Sequence, residues 1–315
     1  MTGSRHVLLV VHIGRTEAIE AAAEACVGLT AAGITPVMTG GDLALCAKQV
    51  SPVWAQVAEL DVVGSGDGVS ADNLELVMVL GGDGTILKAA EIVREQQVPL
   101  LGVNLGRVGF LAEVEREDLS ETVRRIAALD YTVKERLTLD VSVIVDGNET
   151  YRSWALNEAT VEKSARERML EVVVEVDRRP LSSFGCDGIV MSTPTGSTAY
   201  SFSAGGPVVW PSVEALLLTP LSAHALFARP LVINPNSLMA VEVMRSSAGT
   251  GVLWCDGRRT HELPAGARVE ARRSPKSVRI ARLHDAPFTD RLVKKFALPV
   301  VGWRGPERTA EPYQS

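Results

Sequence analysis

The chain has 315 residues, 46% of them hydrophobic and 22% charged, and its 32 Lys and Arg against 38 Asp and Glu give a formal net charge of −6. At roughly 150 residues per domain this length predicts about two domains, each with its own core, and excludes a small disulfide-stapled module. The composition excludes a disordered chain, and the acidic balance leaves no chain-wide footprint for nucleic acid.

In chain order, the apolar run 6–12 predicts a first strand, and the Ala/Glu-rich segment 17–32, stopped by Gly33, predicts a helix. Residues 34–38 read as a second strand. Residues 74–80 (LELVMVL) are apolar almost throughout, as a strand covered on both faces should be. Residues 86–97 then place Ile86, Ala90 and Val93 at helical spacing, and 98–103 read as the next strand. This alternation predicts an α/β domain over residues 1–130, with a Rossmann-like, open and mostly parallel sheet.

Beyond Tyr131 the period falls towards two. Residues 137–145 alternate, Asp146-Gly147 signals a hairpin, and 151–155 read as the returning strand. Further strands are expected at 169–176, 238–244, 251–255, 267–271 and 278–282, so an antiparallel β-domain is predicted over 131–285. Residues 290–296 read as a helix within a C-terminal segment, 286–304, that returns to the first domain. A polar tail, 305–315, is expected to be disordered.

Cys26, Cys46, Cys186 and Cys255 are scattered without CxxC spacing. The sequence therefore writes neither a zinc ribbon nor a dithiol redox pair, and it predicts reduced thiols in a cytoplasmic protein. The apolar run 7–11 is too short for a secretory signal, and no export is expected.

Gly81-Gly82-Asp83-Gly84-Thr85 stands where a buried strand ends and a helix begins, the edge at which open α/β sheets bind ligands. Glycines let the backbone approach a phosphate closely, and N–H groups at a helix start face an anion. Asp83 is the odd ingredient. It repels a phosphate unless it coordinates Mg²⁺ or accepts a hydroxyl proton, which points to chemistry; the plainer reading is a helix cap. No GxxxxGK[ST] or GxGxxG occurs, and Gly64-Ser65-Gly66-Asp67-Gly68 has the wrong spacing and reads as a surface loop. At the next strand end, Asn104-Leu105-Gly106-Arg107-Val108-Gly109-Phe110-Leu111 puts Arg107 in reach of a phosphate over the first turn, with Lys88 as a second cation. Lys88 reads equally as a solvated cation, and Phe110 equally as a core aromatic or a stacking partner for a base.

In the β-rich half, Asn157-Glu158 lies between apolar strands, so one of its side chains points inward and needs a partner such as a ligand hydroxyl or amide. The uncharged stretch 188–213 carries Pro194, Gly196, Gly205, Gly206, Pro207 and Pro211, too many breakers for a membrane span. Its crowded hydroxyls suit hydrogen bonds to ribose, amide and base edges; the alternative is an irregular Ser/Thr loop. Cys255-Asp256-Gly257 reads as a hairpin turn, and Arg258-Arg259 and Arg272-Arg273 as solvated pairs. Neither HExxH nor GxSxG is present, so metal hydrolysis and serine-triad chemistry lose their usual support.

Together these blocks resemble the NAD kinase family, the ATP- or polyphosphate-dependent enzymes that make NADP, and especially its actinobacterial and mycobacterial members. The turn at 81–85, the block 104–111, Asn157-Glu158, Asp187-Gly188 through Gly205-Gly206-Pro207, and Cys255-Asp256-Gly257 match that family's signatures in order and spacing. The resemblance runs from about Leu74 to Trp303. It implies an α/β domain followed by an all-β sandwich, with NAD between them. It also implies phosphoryl transfer from ATP or inorganic polyphosphate to the 2′-hydroxyl of the adenosine ribose of NAD, with Asp83 as the base or orienting group. Gly81, Gly82, Gly84, Thr85, Lys88 and Arg107 would then meet phosphates. Asp83, Gly84, Phe110, Asn157, Glu158, Asp187, Thr195, Thr198, Ala199, Tyr200 and Ser203 would line the NAD site. Mg²⁺ would be held mainly by the substrates' phosphates. A homodimer or homotetramer without nucleic-acid or membrane partners is expected.

Two other readings stand beside this one. Lipid kinases of the diacylglycerol and sphingosine type share the GGDGT turn, and phosphofructokinases a related GGDG, but lipid kinases lack the block 195–200 with Asn157-Glu158. A non-catalytic NAD- or NADP-sensing module would keep the pocket but gains nothing from a carboxylate facing phosphates.

Overall fold

The computed structural model describes residues 5–48, 52–57, 62–65, 73–106, 109–112, 114–166, 168–284 and 287–300. The tail expected to be disordered and most of the expected loop at 64–68 lie outside these residues. The chain divides into two units, one comprising Met1–Ala89, Leu100–Thr132 and Ala281–Ser315, the other Ala90–Pro99 and Val133–Ile280. The decapeptide 90–99 thus groups with the β-rich half, a feature the sequence pattern does not announce.

The first unit runs through β1 (Arg5–Val11), α1 (Thr16–Ala31), β2 (Ile34–Thr39), α2 (Gly40–Cys46), α3 (Pro52–Val57), β3 (Val63–Ser65), β4 (Leu74–Leu80), α4 (Asp83–Ile92), β5 (Leu100–Asn104), β6 (Val114–Glu115) and α5 (Leu119–Ala127). Five strands pair in the order β3-β2-β1-β4-β5, all parallel. Residues 7–11 and 76–80 are buried, which is why β1 and β4 are written as unbroken apolar runs. The chain builds outward from β1 to β2 and β3, then returns to place β4 on the other side of β1. That reversal makes the carboxyl ends of β1 and β4 the switch point at which such sheets open a crevice for ligands.

The helix expected at 86–97 starts at Asp83 and ends at Ile92. Residues 93–97 continue as turns, with the Gln97 N–H on the Val93 carbonyl (3.2 Å), and the left-handed Gln97 (φ 56°) and the pre-proline Val98 then end any helical course.

The chain enters the second unit through β7 (Thr132–Arg136) and continues with β8 (Leu139–Val145), β9 (Asn148–Ala155), β10 (Glu158–Lys163), β11 (Leu170–Val176), β12 (Arg179–Cys186) and β13 (Gly188–Ser192). A 3₁₀ turn (Thr195–Thr198) and α6 (Tyr200–Ser203) follow, then β14 (Leu216–Leu221), β15 (Leu231–Ile233), β16 (Met239–Val243), β17 (Gly251–Cys255), β18 (Arg259–Leu263), β19 (Arg268–Arg273) and β20 (Val278–Arg282). The last helix, α7 (Phe288–Phe296), belongs to the first unit.

Two six-stranded sheets, β15-β14-β13-β10-β17-β18 and β12-β11-β16-β19-β8-β9, form the sandwich. Alternate residues supply its core: Leu139, Val141 and Val143 from β8, Leu170, Val172 and Val174 from β11, Ile189 and Met191 from β13. The β8–β9 hairpin turns on Asp146 (φ 49°) and Gly147 (φ 80°), the left-handed pair that a two-residue hairpin loop requires. Beyond Tyr131, the strands expected from the sequence leave out β7, β12, β13, β14, β15 and β18; β12, β15 and β18 are edge strands, whose wet faces are polar, whereas β13 and β14 lie inside their sheet. No helix among the described residues is long and apolar enough to cross a membrane.

Candidate functional site

The glycine turn is pinned from both sides. The His12 N–H donates to the Leu80 carbonyl (3.0 Å), and the Gly81 N–H donates to the Val103 carbonyl (3.1 Å). Thr85 and Ile86 make the first helical bonds, both to the Gly82 carbonyl, so the N–H groups of Asp83 and Gly84 have no intrahelical acceptor. The three glycines do different work. A Cβ on Gly81 would collide with the Thr85 side chain, whereas Cβ atoms on Gly82 and Gly84 would meet nothing within 4 Å. Gly82 and Gly84 border open space, while Gly81 and the buried Thr85 close against each other.

Asp83 does not cap its own helix. Its two carboxylate oxygens accept the N–H groups of Phe110 (3.1 Å) and Leu111 (3.1 Å), and Gly109 lies so close that a Cβ there would strike the carboxylate. The block 109–111 therefore fixes the orientation of Asp83. Lys88, expected at a phosphate, instead holds the buried Asp42 carboxylate at 3.1 and 3.2 Å. The Asp42 carboxylate neutralises it. Arg107 lies outside the described residues. The Phe110 ring, for which core and stacking readings were both open, packs on Phe288 (6.0 Å) and Phe296 (5.7 Å) of α7, and Arg291 donates to the Phe110 carbonyl (2.9 Å).

A cavity of about 630 Å³ lies at the same sheet edge, lined by Arg15, Glu17, Asn104, Leu105, Gly106 and residues 115–117. Sequence reasoning missed Arg15. Its signal is positional: it ends the loop that follows β1, the strand beside the glycine turn.

In the second unit the chain kinks between β9 and β10 at Leu156 and Asn157, and this kink is held on both sides. The Asp256 carboxylate accepts the N–H groups of Asn157 (2.7 Å), Leu156 (2.9 Å) and Glu158 (3.4 Å). From the other side Thr193 donates its hydroxyl to the Leu156 carbonyl (2.6 Å) and its N–H to the Asn157 carbonyl (2.9 Å). Asn157 and Glu158 are buried polar residues on a clamped backbone. Burial pushes the Glu158 carboxyl up to about 8, repulsion from Asp256 adds to this, and the Tyr200 N–H (3.4 Å) opposes it. Glu158 is therefore neutral at pH 7 and able both to donate and to accept a hydrogen bond.

Asp256 does sit in a hairpin turn (φ 54°, followed by Gly257 at 62°), but its side chain is the part that sequence reasoning did not assign. Arg258 and Arg259, expected to be solvated, both grip Glu91, and Arg259 also holds Asp256 at 2.9 Å. Arg273 likewise pairs with Glu214 at 2.7 Å.

The hydroxyl-rich stretch is largely satisfied internally. Ser197 donates to the Pro194 carbonyl (2.7 Å) and accepts the Val209 N–H (2.9 Å), Thr198 donates to the Thr195 carbonyl (3.2 Å), and Ser201 meets Thr219 (3.2 Å). The Ser192 hydroxyl, buried opposite Glu158, has no hydrogen-bond partner among the described residues. Thr195 is buried, Thr198 and Ala199 are half-buried, and Tyr200 and Ser203 are exposed. Burial raises the Tyr200 hydroxyl above its ordinary range, and the charges of Glu162, Glu158 and Asp187 add to it, so Asp187 acts on this tyrosine. Antiparallel pairing sets Glu158 against Ser192 and Glu162 against Gly188, so Asp187 lies at the opposite end of β13, on Lys163 (2.5 Å), which holds its carboxyl below the usual range.

Gly196 approaches the kink so closely that a Cβ would collide with the Asn157 carbonyl and stand 2.8 Å from its Cα, backbone atoms that cannot retreat. Gly196→Ala is expected to lower stability by roughly 1–3 kcal/mol. Gly84→Ala, open on that side and inside a helix, is expected to be neutral or stabilising by up to about 1 kcal/mol. Urea midpoints of the two variants check both.

The family described as the ATP-NAD kinase N-terminal domain matches residues 7–131, and the ATP-NAD kinase C-terminal domain matches residues 156–283. The chain is 60% identical over 310 residues to the NAD kinase of Leifsonia xyli, covering 98% of this chain and 99% of that one. It is 51% identical over 317 residues to the NAD kinase of Mycobacterium tuberculosis, covering 97% and 100%. Among solved structures its fold is similar to yeast NADH kinase complexed with NADH, with a TM-score of 0.84 at 20% identity, covering 99% of this chain and 91% of that one. It is also similar in fold to an NAD kinase from Archaeoglobus fulgidus in complex with ATP, with a TM-score of 0.65 at 22% identity, covering 94% and 100%.

Proposed function

The chain belongs to the NAD kinase family, and we infer that it transfers the terminal phosphoryl group of ATP to the 2′-hydroxyl of the adenosine ribose of NAD, giving NADP. The observation that carries this reading is Asp83, a carboxylate oriented by two backbone N–H groups at the N-terminus of α4, on the switch-point edge of the parallel sheet.

Phosphoryl transfer asks a protein mainly for positioning and charge neutralisation. The open N–H groups of Asp83 and Gly84, with the space beside Gly82 and Gly84, suit donor phosphates, and the cavity at Arg15 suits the rest of the donor. In the reaction the ribose oxygen bonds to the terminal phosphorus as the bond to ADP breaks, and the hydroxyl proton passes to Asp83. Asn157, neutral Glu158 and the residues Thr195, Thr198, Ala199, Tyr200 and Ser203 supply the acceptor's polar and apolar contacts. Among the described residues no group of three or more His, Cys, Asp or Glu is placed to hold a metal by itself. A divalent cation such as Mg²⁺ is in this reading carried on the donor phosphates, where it neutralises their charge.

Inorganic polyphosphate is a second donor of the same chemical class. The four buried, free cysteines suit a reducing cytoplasm. A homodimer or homotetramer is the assembly this reading carries.

The test is a donor panel. Purified chain, Mg²⁺ and NAD are incubated with ATP or polyphosphate, and NADP is read with an NADP-specific dehydrogenase. NADP formation with ATP is expected. Absence of NADP with every donor, together with tight NAD binding by calorimetry, would establish a sensor instead, and phosphorylation of a lipid would establish a lipid kinase.

A further inference from the structure

Asp256 stands at the centre of an arrangement larger than the kink it clamps. Its side chain is 1% exposed, and a carboxylate so deeply buried keeps its charge only with a partner and hydrogen bonds. Arg259 is that partner. One guanidinium nitrogen donates to Asp256 (2.9 Å) and to the Trp154 carbonyl (2.8 Å), and the other meets Glu91 (2.5 Å). The plane of the fork is fixed as well, since the guanidinium stacks 4.5 Å from the centroid of the Trp154 ring, which Arg94 covers at 4.3 Å. Arg94 is itself locked by the Lys276 carbonyl (2.7 Å), Thr138 (3.1 Å) and Ser274 (2.9 Å).

We propose that Arg259 is a positioning residue for the acceptor: by holding Asp256 as a charged, correctly aimed clamp it fixes the backbone of 156–158, and with it the Asn157 and Glu158 side chains. This rests on reading Asn157 and Glu158 as part of the NAD site. Arg259 touches no substrate. Its effect reaches NAD through one carboxylate and three N–H groups, so it acts on affinity for NAD and leaves the donor half of the reaction alone.

The experiment compares Arg259→Gln, Arg258→Gln, Asp256→Asn and the double variant Asp256→Asn/Arg259→Gln, each checked for folding by thermal melt. Arg259→Gln is expected to raise both the Kd for NAD by calorimetry and the KM for NAD about tenfold, with kcat within threefold and the KM for ATP unchanged. Arg258→Gln keeps the Asp256 pair and is expected to bind NAD within twofold of wild type. In the Asp256→Asn background, where no charge remains to be held, Arg259→Gln is expected to add less than twofold, because coupled residues are not additive. A folded Arg259→Gln with wild-type NAD affinity, or effects that simply multiply, overturns the proposal. If Arg259→Gln does not fold, Glu91→Gln carries the test: a Kd for NAD raised about threefold supports the role of Arg259, and an unchanged Kd overturns it. A wild-type chain that neither binds NAD nor makes NADP overturns the acceptor-site reading itself, a result no variant could mimic.

Discussion

Asp83→Asn is expected to lower kcat by about 10²–10⁴, the usual worth of a positioned proton acceptor, while the Kd for NAD stays within threefold. A carboxylate offers about four lone-pair directions. The Phe110 and Leu111 N–H groups occupy one on each oxygen of Asp83, which leaves directions free for a hydroxyl proton and fixes where they point. Asparagine keeps the shape but presents one oxygen and an NH₂ to the same two donors. It removes the proton acceptor and leaves one backbone N–H facing another donor. Coupled assay of NADP formation and calorimetry on the same preparation separate turnover from binding. Near wild-type turnover with NAD still bound would remove the base role from Asp83 and leave it a structural clasp for 109–111.

That clasp marks how far the sequence carries. The strand Leu74–Leu80 and its turn are legible because a strand buried on both faces must be apolar throughout and a tight strand-to-helix turn must be rich in glycine. The hairpin at Asp146-Gly147 is legible for the same local reason. Partnerships across the chain are not. Lys88 looks like a phosphate ligand until folding brings Asp42 to it, and Arg259 looks solvated until Glu91 and Asp256 close on it. Asp256 reads as a turn residue because its turn is local, whereas the three N–H groups it clamps lie about a hundred positions earlier. Ser197 and Ser201 look available for a ligand only while their internal partners are unknown. Asp187 and Ser192 stand at opposite ends of β13 because the chain between them is extended, and the antiparallel partner β10 sets Glu162 against Gly188 and Glu158 against Ser192.

Glu158→Gln is expected to stabilise the protein, increasingly so as pH rises. The buried carboxyl titrates near 8, against an ordinary value of 4.5. Between those values the unfolded chain sheds a proton that the native state keeps. Fewer protons bound in the unfolded state means that stability falls with pH, by about 1.4 kcal/mol per unit for a single group. The contribution is complete below pH 4.5, is lost progressively above it, and stops changing above about 8, where native Glu158 ionises as well. Glutamine has the same shape and no proton to lose, so the variant lacks this slope. Urea unfolding at pH 5.5, 7.0 and 8.5 should show its advantage growing to a few kcal/mol, and an advantage independent of pH would show that Glu158 is ionised in the native state. The same neutrality sets the functional expectation: at pH 7 the amide replaces a neutral acid, and NAD affinity should change only a few-fold. Above pH 8 the wild-type acid gains a charge inside the pocket and loses its donor, so its affinity should fall while that of Glu158→Gln stays level. A residue that weakens the fold at every pH where it binds ligand is a residue retained for the site rather than for the sandwich that holds it.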